Sequence, residues 1–171
     1  MEDTPKIIYQ AEPPYPPVRT EGPQRAYGAA MLDNQSGINS EISAVSMYFY
    51  DHLMTFRVPE IAETFHRISI VEMHHLEIFG TLALQLGENP RLWSHRGRRM
   101  VYWSPGCNQY AAALNDILKN AIASEEAAVK KYCQQTTWIQ DCCIVENLNR
   151  IILDEQLHIK ILQSLYQKYC C

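Results

Sequence analysis

The sequence predicts an all-α chain, a four-helix bundle made of two antiparallel helical hairpins joined by a long crossover. Three observations carry this. Apolar residues recur at spacings of three and four along four long stretches, the signature of amphipathic helices. Two of the links between stretches are only a few residues long, which makes the flanking helices antiparallel neighbours. The remaining link, Glu88–Cys107, is long and carries Pro90, Gly97, Pro105 and Gly106, so it can cross from one end of a bundle to the other.

Composition agrees with one globular domain: 171 residues, 47% hydrophobic and 20% charged. A formal net charge of −4 argues against a general nucleic-acid binder, which would be basic. No stretch approaches the roughly 18 apolar residues of a membrane span. The opening MEDTPKIIYQAEPPYPP has early acids and lacks the apolar run of a secretory signal. An intracellular, cytoplasmic protein with no nucleic-acid or membrane partner is expected. The six cysteines include no CxxC pair, which excludes zinc-ribbon and rubredoxin-type sites within this sequence. They are expected to be free thiols, with the adjacent pairs Cys142-Cys143 and Cys170-Cys171 given no role.

Residues 1–25 hold Pro5, Pro13, Pro14, Pro16, Pro17 and Pro23, which forbid a long helix, so an extended arm is expected there and the bundle over 26–171. The first helical stretch is read from Tyr27 to Phe56, with Ile38, Val45, Tyr48 and His52 on one stripe. Pro59 suits the first turn of the second, which ends near Gly87 and carries Ile61, Phe65, Ile68, Phe79, Leu82 and Leu86. The third is read from Asn108 to Thr137, with Leu114, Leu118, Ala121 and Tyr132. The fourth follows Asp141, a candidate cap, and runs to Tyr169 with Ile144, Leu148, Ile151, Leu162 and Leu165. In the crossover, Arg91, Arg96, Arg98 and Arg99 are expected on a solvated or subunit-bridging loop. Trp93, Tyr102 and Trp103 are expected to pin that loop to the bundle.

The stripes are interrupted by charge where a core should be driest. Glu41 falls in the first, Glu72 and His75 in the second, Glu125 in the third, and Glu155 and His158 in the fourth. A buried unpaired carboxylate costs several kcal/mol, so an ordinary core would not keep four. Two divalent metals would neutralise them. Glu-x-x-His places a carboxylate and an imidazole on one helical face. With thirteen glutamates and six histidines, chance predicts about half an occurrence of this motif, so the matches need weighing individually. There are three. Glu63/His66 lies nine residues before Glu72/His75, on the opposite face, and is assigned to solvent or a subunit contact.

The other two belong to a repeat. Glu41 is followed by Ala44 and Tyr48 at +3 and +7, and Glu125 by Ala128 and Tyr132 at the same places. Each half then supplies Glu-x-x-His about thirty residues on, which suggests an internal duplication. Glu126 lacks these followers, so Glu125 is the preferred ligand. The alanines leave room beside the carboxylates. Tyr48 and Tyr132 are candidates to hydrogen-bond the ligands, and no residue is singled out as a catalytic acid or base. His74 is rotated about 100° from His75, so an outer contact or an interface suits it better than ligation. His52 is read as a bundle-end histidine. Carboxylate and imidazole donors without thiolates suit iron or manganese.

The pattern resembles the ferritin-like di-metal carboxylate superfamily, whose bundle carries a Glu on each of two helices and Glu-x-x-His on the other two. All six positions are matched over about residues 26–169. EISAVSMYF and ILDEQLHIKIL look like bacterioferritin and rubrerythrin helices. YPPVRTEGPQRAYGAAMLDN and LGENP are more similar to rubrerythrin-like, manganese-catalase and spore-coat relatives. The resemblance implies two iron or two manganese ions per chain, bridged by Glu72 and Glu155. Glu41 and His75 would serve one ion, Glu125 and His158 the other. It implies an oxidoreductase acting on hydrogen peroxide or dioxygen, of peroxidase or catalase type, in a homo-oligomer. A rubrerythrin-type reaction would need an external electron donor, whereas a catalase-type one would not. The alternatives are an iron-binding or storage protein, or a structural coat-type protein that keeps the site. No methionine stands out as a haem ligand.

Overall fold

The computed structural model describes residues 8–171; Pro5 and the rest of the expected arm over 1–7 lie outside the described residues. From Ile8 to Gln24 the chain forms no helix. Five α-helices follow: α1 (Arg25–Ser36), α2 (Glu41–Met54), α3 (Pro59–Gln85), α4 (Leu114–Thr136) and α5 (Cys142–Cys170). A two-stranded hairpin, β1 (Trp93–Arg96) and β2 (Arg99–Tyr102), and a short 3-10 turn (Pro105–Cys107) occupy the crossover. Helices α2 and α3 pair as one hairpin and α4 and α5 as the other, the ferritin-like plan. No described helix is long and apolar enough to cross a membrane.

The first expected helix is two. The chain breaks between Ser36 and Glu41, and Gly37 explains where. Its backbone is extended (φ −69°, ψ −168°) while its N–H still caps Asp33 O at 2.8 Å. A Cβ there would sit 2.4 Å from Asp33 Oδ1, so only glycine fits. Ile38 therefore lies in a linker and is 60% exposed, not on an inward stripe. The third helix starts at Leu114, six residues later than its periodicity suggests. Asn108–Ala113 instead runs along α2, held by Asn108 Nδ2 donating to Ser46 Oγ (2.7 Å) and by Tyr110 packing edge-on to Tyr50. The crossover was expected as a loop, yet it pairs Trp93 with Tyr102 through Arg96 with Arg99 in antiparallel register. Gly97, at φ +63°, allows the tight reversal. Trp103 does pin the crossover, donating from Nε1 to Ser43 Oγ at 2.9 Å.

Asp141 caps α5, its Oδ1 accepting from the N–H groups of Cys143 and Ile144 at 3.0 and 3.1 Å. All six cysteines are free thiols. Glu63 faces solvent, paired with Arg67, as the nine-residue offset requires.

The apolar core is in two parts. One collects Leu32, Phe79, Leu82, Leu148 and Ile151; the other Ile61, Phe65, Ile68, Leu118 and Leu162. On α3 the residues between Ile68 and Ile78 include Glu72 and His75, and on α5 those between Ile151 and Leu162 include Glu155 and His158. The polar layer is thus sandwiched between two dry ones, where any charge it holds is strongly felt.

Candidate metal centre

Each donor comes from a different level of local structure. Glu41 is the first residue of α2, while Glu72 and His75, Glu125, and Glu155 and His158 sit near the middle of α3, α4 and α5. All six side chains are buried, none more than 3% exposed. The helices bring all six sequence-predicted donors together.

Their arrangement is a pair of overlapping quartets: Glu41, Glu72, His75 and Glu155, and Glu72, Glu125, Glu155 and His158. His75 Nδ1 lies 3.2 Å from Glu72 Oε2, 3.3 Å from Glu155 Oε1 and 3.8 Å from Glu41 Oε2. His158 Nδ1 lies 2.9 Å from Glu72 Oε1, 3.5 Å from Glu155 Oε2 and 3.7 Å from Glu125 Oε1. Glu72 and Glu155 therefore each turn one oxygen towards each histidine, and Glu41 and Glu125 stand at the two ends.

The cluster is not satisfied by itself. Glu72 Oε1, both Glu155 oxygens and His158 Nδ1 are buried without a hydrogen-bond partner among the described residues. Native interiors leave few such groups, and each needs a reason. Carboxylate oxygens and imidazole nitrogens that converge in this way suit a bound cation, which would take the place of the protons they otherwise hold. Two divalent ions balance four carboxylates, and the mixed oxygen and imidazole donors fit iron or manganese.

Electrostatics separate the terminal from the shared carboxylates. Burial, then repulsion from Glu155, pushes Glu125 up to about 8, and burial with Glu72 beside it raises Glu41. Burial also opposes charge on Glu72 and Glu155, but the two histidines at Glu72, and a hydrogen bond from Glu125 together with the two histidines at Glu155, outweigh it and hold both below the ordinary carboxylate value. The histidines are raised despite their burial, because the carboxylates surround them.

The tyrosines cross between the halves. Tyr48, on the helix of Glu41, donates to Glu125, and Tyr132, on the helix of Glu125, donates to Glu41. Both rings are fully buried. His74 and His52 stay out: His74 is exposed against the Tyr15 ring, and His52 donates from Nδ1 to Ala62 O.

Sequence reasoning missed what stands behind the histidines. His75 Nε2–H donates to Asp154 Oδ2 at 3.0 Å, and Tyr15 OH donates to the same oxygen at 2.5 Å. Burial works against the Asp154 charge, but hydrogen bonds from His75, Arg150, Tyr15 and the Ala11 N–H hold its pKa well below normal. Arg150, only 4% exposed, lies 2.7 Å from Asp154 Oδ1 and donates to Pro13 O and Ala11 O. His158 Nε2–H instead donates to the Tyr9 carbonyl at 2.9 Å. The proline-rich arm thus lies along the histidine side. Arg150 and Asp154 carried a signal, an i,i+4 pair of opposite charge on a core helix beside Glu155. Tyr9 carried none, because its contribution is a backbone carbonyl.

The family model described as Rubrerythrin matches residues 35–166, a span that contains all six donors. The chain belongs to the rubrerythrin family. Its fold is similar to that of KatB, a manganese catalase from Anabaena, with a TM-score of 0.81 at 17% identity, covering 95% of this chain and 80% of that one. A bacterioferritin from Rhodobacter capsulatus, described with a metal-free dinuclear site and haem iron, aligns with a TM-score of 0.68 at 21% identity, covering 85% of this chain and 89% of that one. No curated protein matches the sequence. As a rubrerythrin-family protein the chain is a di-metal ferritin-like protein.

Proposed function

We propose that this chain is a dinuclear iron or manganese oxidoreductase that consumes hydrogen peroxide. The observation that carries the proposal is the sharing of Glu72 and Glu155 by two buried quartets, each completed by one histidine and one terminal glutamate. Glu41 and His75 would hold one ion and Glu125 and His158 the other. Bound, the pair of ions would supply the redox couple and stabilise charge on the oxygens of the substrate. The chain's own residues would do the rest. Asp154 and the Tyr9 carbonyl keep each imidazole's proton on Nε2, so that Nδ1 presents a lone pair to the cluster. Tyr48 and Tyr132 each hold a terminal carboxylate in place with a donated proton. The two apolar layers exclude bulk water.

The test is metal analysis followed by a peroxide assay. About two ions per chain, with oxygen evolved from peroxide without an added donor, is the expected catalase-type result. Peroxide consumption only with a reductant would identify a peroxidase drawing on an external electron donor. Protein that evolves no oxygen, consumes no peroxide and accumulates iron in a hollow assembly would overturn the proposal in favour of storage. Glu72→Ala and His158→Ala should each lower metal content, and unchanged content would overturn the site. Phe49, Leu53 and Phe56 lie exposed on or just after α2, an apolar face consistent with self-association, which sedimentation would measure.

A further inference from the structure

The arm lies over the histidine side of the cluster, with the Tyr9 carbonyl on His158 and the Tyr15 hydroxyl beside His75. On the opposite side, a small space is lined by Glu41, Ala44, Glu125 and Ala128, and no histidine borders it. It leaves about 10 Å³ free, enough for about one water-sized molecule. Ala44 and Ala128 are what create it, since any larger side chain there would fill it.

Outside this space lies a larger cavity of about 230 Å³ between α2, the end of the crossover and α4. The two cavities share two lining residues, Asn39 and Ser124. Ser124 Oγ donates to Asn39 Oδ1 at 3.3 Å, joining the α1–α2 linker to α4. Each is placed by the chain beside a terminal donor: Ser124 directly precedes Glu125, and Asn39 comes two residues before Glu41. Lys131 holds the linker from the other side, donating from Nζ to Asn39 O at 2.5 Å. The Ser124–Asn39 hydrogen bond therefore stands where the outer cavity and the space over the carboxylates meet.

The outer lining is selective in its chemistry. It offers the amides of Asn108, Gln109 and Asn120 and the hydroxyls of Ser43 and Ser124, with the half-buried Cys107 also in the lining and no Asp, Glu, Lys, Arg or His. Asn108 spends its Nδ2 on Ser46, which leaves its buried Oδ1 without a donor among the described residues. A dehydrating metal cation would need charged ligands to draw it in, and this cavity has none. A neutral molecule that donates and accepts hydrogen bonds fits well, and it would satisfy Asn108 Oδ1.

We propose that the cavity between α2 and α4 is the entry vestibule for a small neutral hydrogen-bonding substrate of the peroxide class, with the Asn39–Ser124 pair as its gate. This rests on the peroxide reading of the cluster and adds the route and its selectivity.

The experiment uses the full-length, metal-loaded protein. Ser124→Met plugs the gate, and Ser124→Ala removes the hydrogen bond without adding bulk. Ser124→Met should lower kcat/KM for peroxide about tenfold, chiefly through KM, with metal content unchanged, while Ser124→Ala keeps or raises kcat/KM. A bulky thiol reagent should lower kcat/KM in the wild type and have no effect in Cys107→Ala, although the other cysteines still react. A readout independent of turnover is the uptake of Mn²⁺ by the apoprotein, followed by loss of its aqueous resonance. Asn120→Asp places a carboxylate in the vestibule and should speed that uptake several-fold. Equal losses in Ser124→Met and Ser124→Ala, reagent effects that persist in Cys107→Ala, or uptake indifferent to Asn120→Asp would overturn the vestibule. A wild type that binds metal yet ignores peroxide would instead overturn the functional reading on which it rests.

Discussion

His75 and His158 occupy equivalent places in the two halves of the cluster, yet what stands behind them differs. Behind His75 is Asp154, an ionised carboxylate fixed by Tyr15, Arg150 and the Ala11 N–H. Behind His158 is the Tyr9 carbonyl, a neutral backbone acceptor. In front of them the halves are nearly interchangeable: the same donors, the same crossed tyrosines, the same shared pair of glutamates. The matching donors come from matching places in the two halves, whereas the outer contacts do not match: Asp154 of α5 backs His75, and the arm supplies the Tyr9 carbonyl behind His158. A carboxylate behind an imidazole makes it a stronger donor than a carbonyl does, so the half containing His75 should hold its ion more tightly.

The largest expected effect separates shared from terminal donors. Glu155→Ala removes a residue common to both quartets and should reduce metal from about two ions per chain to almost none, while Glu41→Gln should retain about one. Elemental analysis of the purified variants checks this, and equal losses would erase the distinction between shared and terminal positions. The next effect bears on the asymmetry itself. Asp154→Ala leaves Arg150 buried without its partner and should destabilise the fold by about 3–5 kcal/mol in urea unfolding. It should also weaken the ion beside His75 by about 10–100-fold and leave the other nearly unchanged. Uniform weakening of both ions would mean that Asp154 acts on the bundle as a whole and not through His75.

A third prediction concerns pH. In the metal-free protein Glu41, Glu125, His75 and His158 all have folded pKa values above their unfolded ones. Stabilisation from such groups is complete below the unfolded value and is lost as pH rises through the folded value. Glu72 and Glu155, held low, act oppositely and lose their contribution only in acid. The apoprotein should therefore unfold at lower urea between about pH 7 and 9 as pH increases. Metal displaces the same protons, so Mn²⁺ loading should strengthen over that range and remove the loss. Flat apoprotein stability would show that the cluster is not protonated in this way. The smallest effect tests the symmetric part. Tyr48→Phe and Tyr132→Phe each remove one donor from one terminal carboxylate and should each cost about 1 kcal/mol in the loaded protein. A large difference between the two would extend the asymmetry to the carboxylate side.

The bundle was legible because its helices are long and strongly periodic, and the donors because charge inside an apolar stripe is conspicuous. The break at Gly37 was not, since Ile38, Val45 and Tyr48 continue a helical spacing across it. Only the close approach of Asp33 shows that the helix must stop. The strands at Trp93–Arg96 and Arg99–Tyr102 were hidden by their arginines, which read as a solvated loop. Asp154 was passed over beside Glu155, because one carboxylate next to another on a helix looks like surface until the arm is packed over it.

Periodicity and spacing therefore place six donors on the inward faces of four helices, because a helix carries every third and fourth residue to one side whatever surrounds it. They also show the same Glu, Ala, Tyr and Glu-x-x-His spacing in both halves. Folding alone decides that the arm covers the histidines, that Asp154 stands behind His75, and that Asn39 meets Ser124 across the opposite side. Those are contacts between residues up to about 150 positions apart, and no local pattern encodes which backbone carbonyl or which neighbouring helix will fill the space behind a side chain.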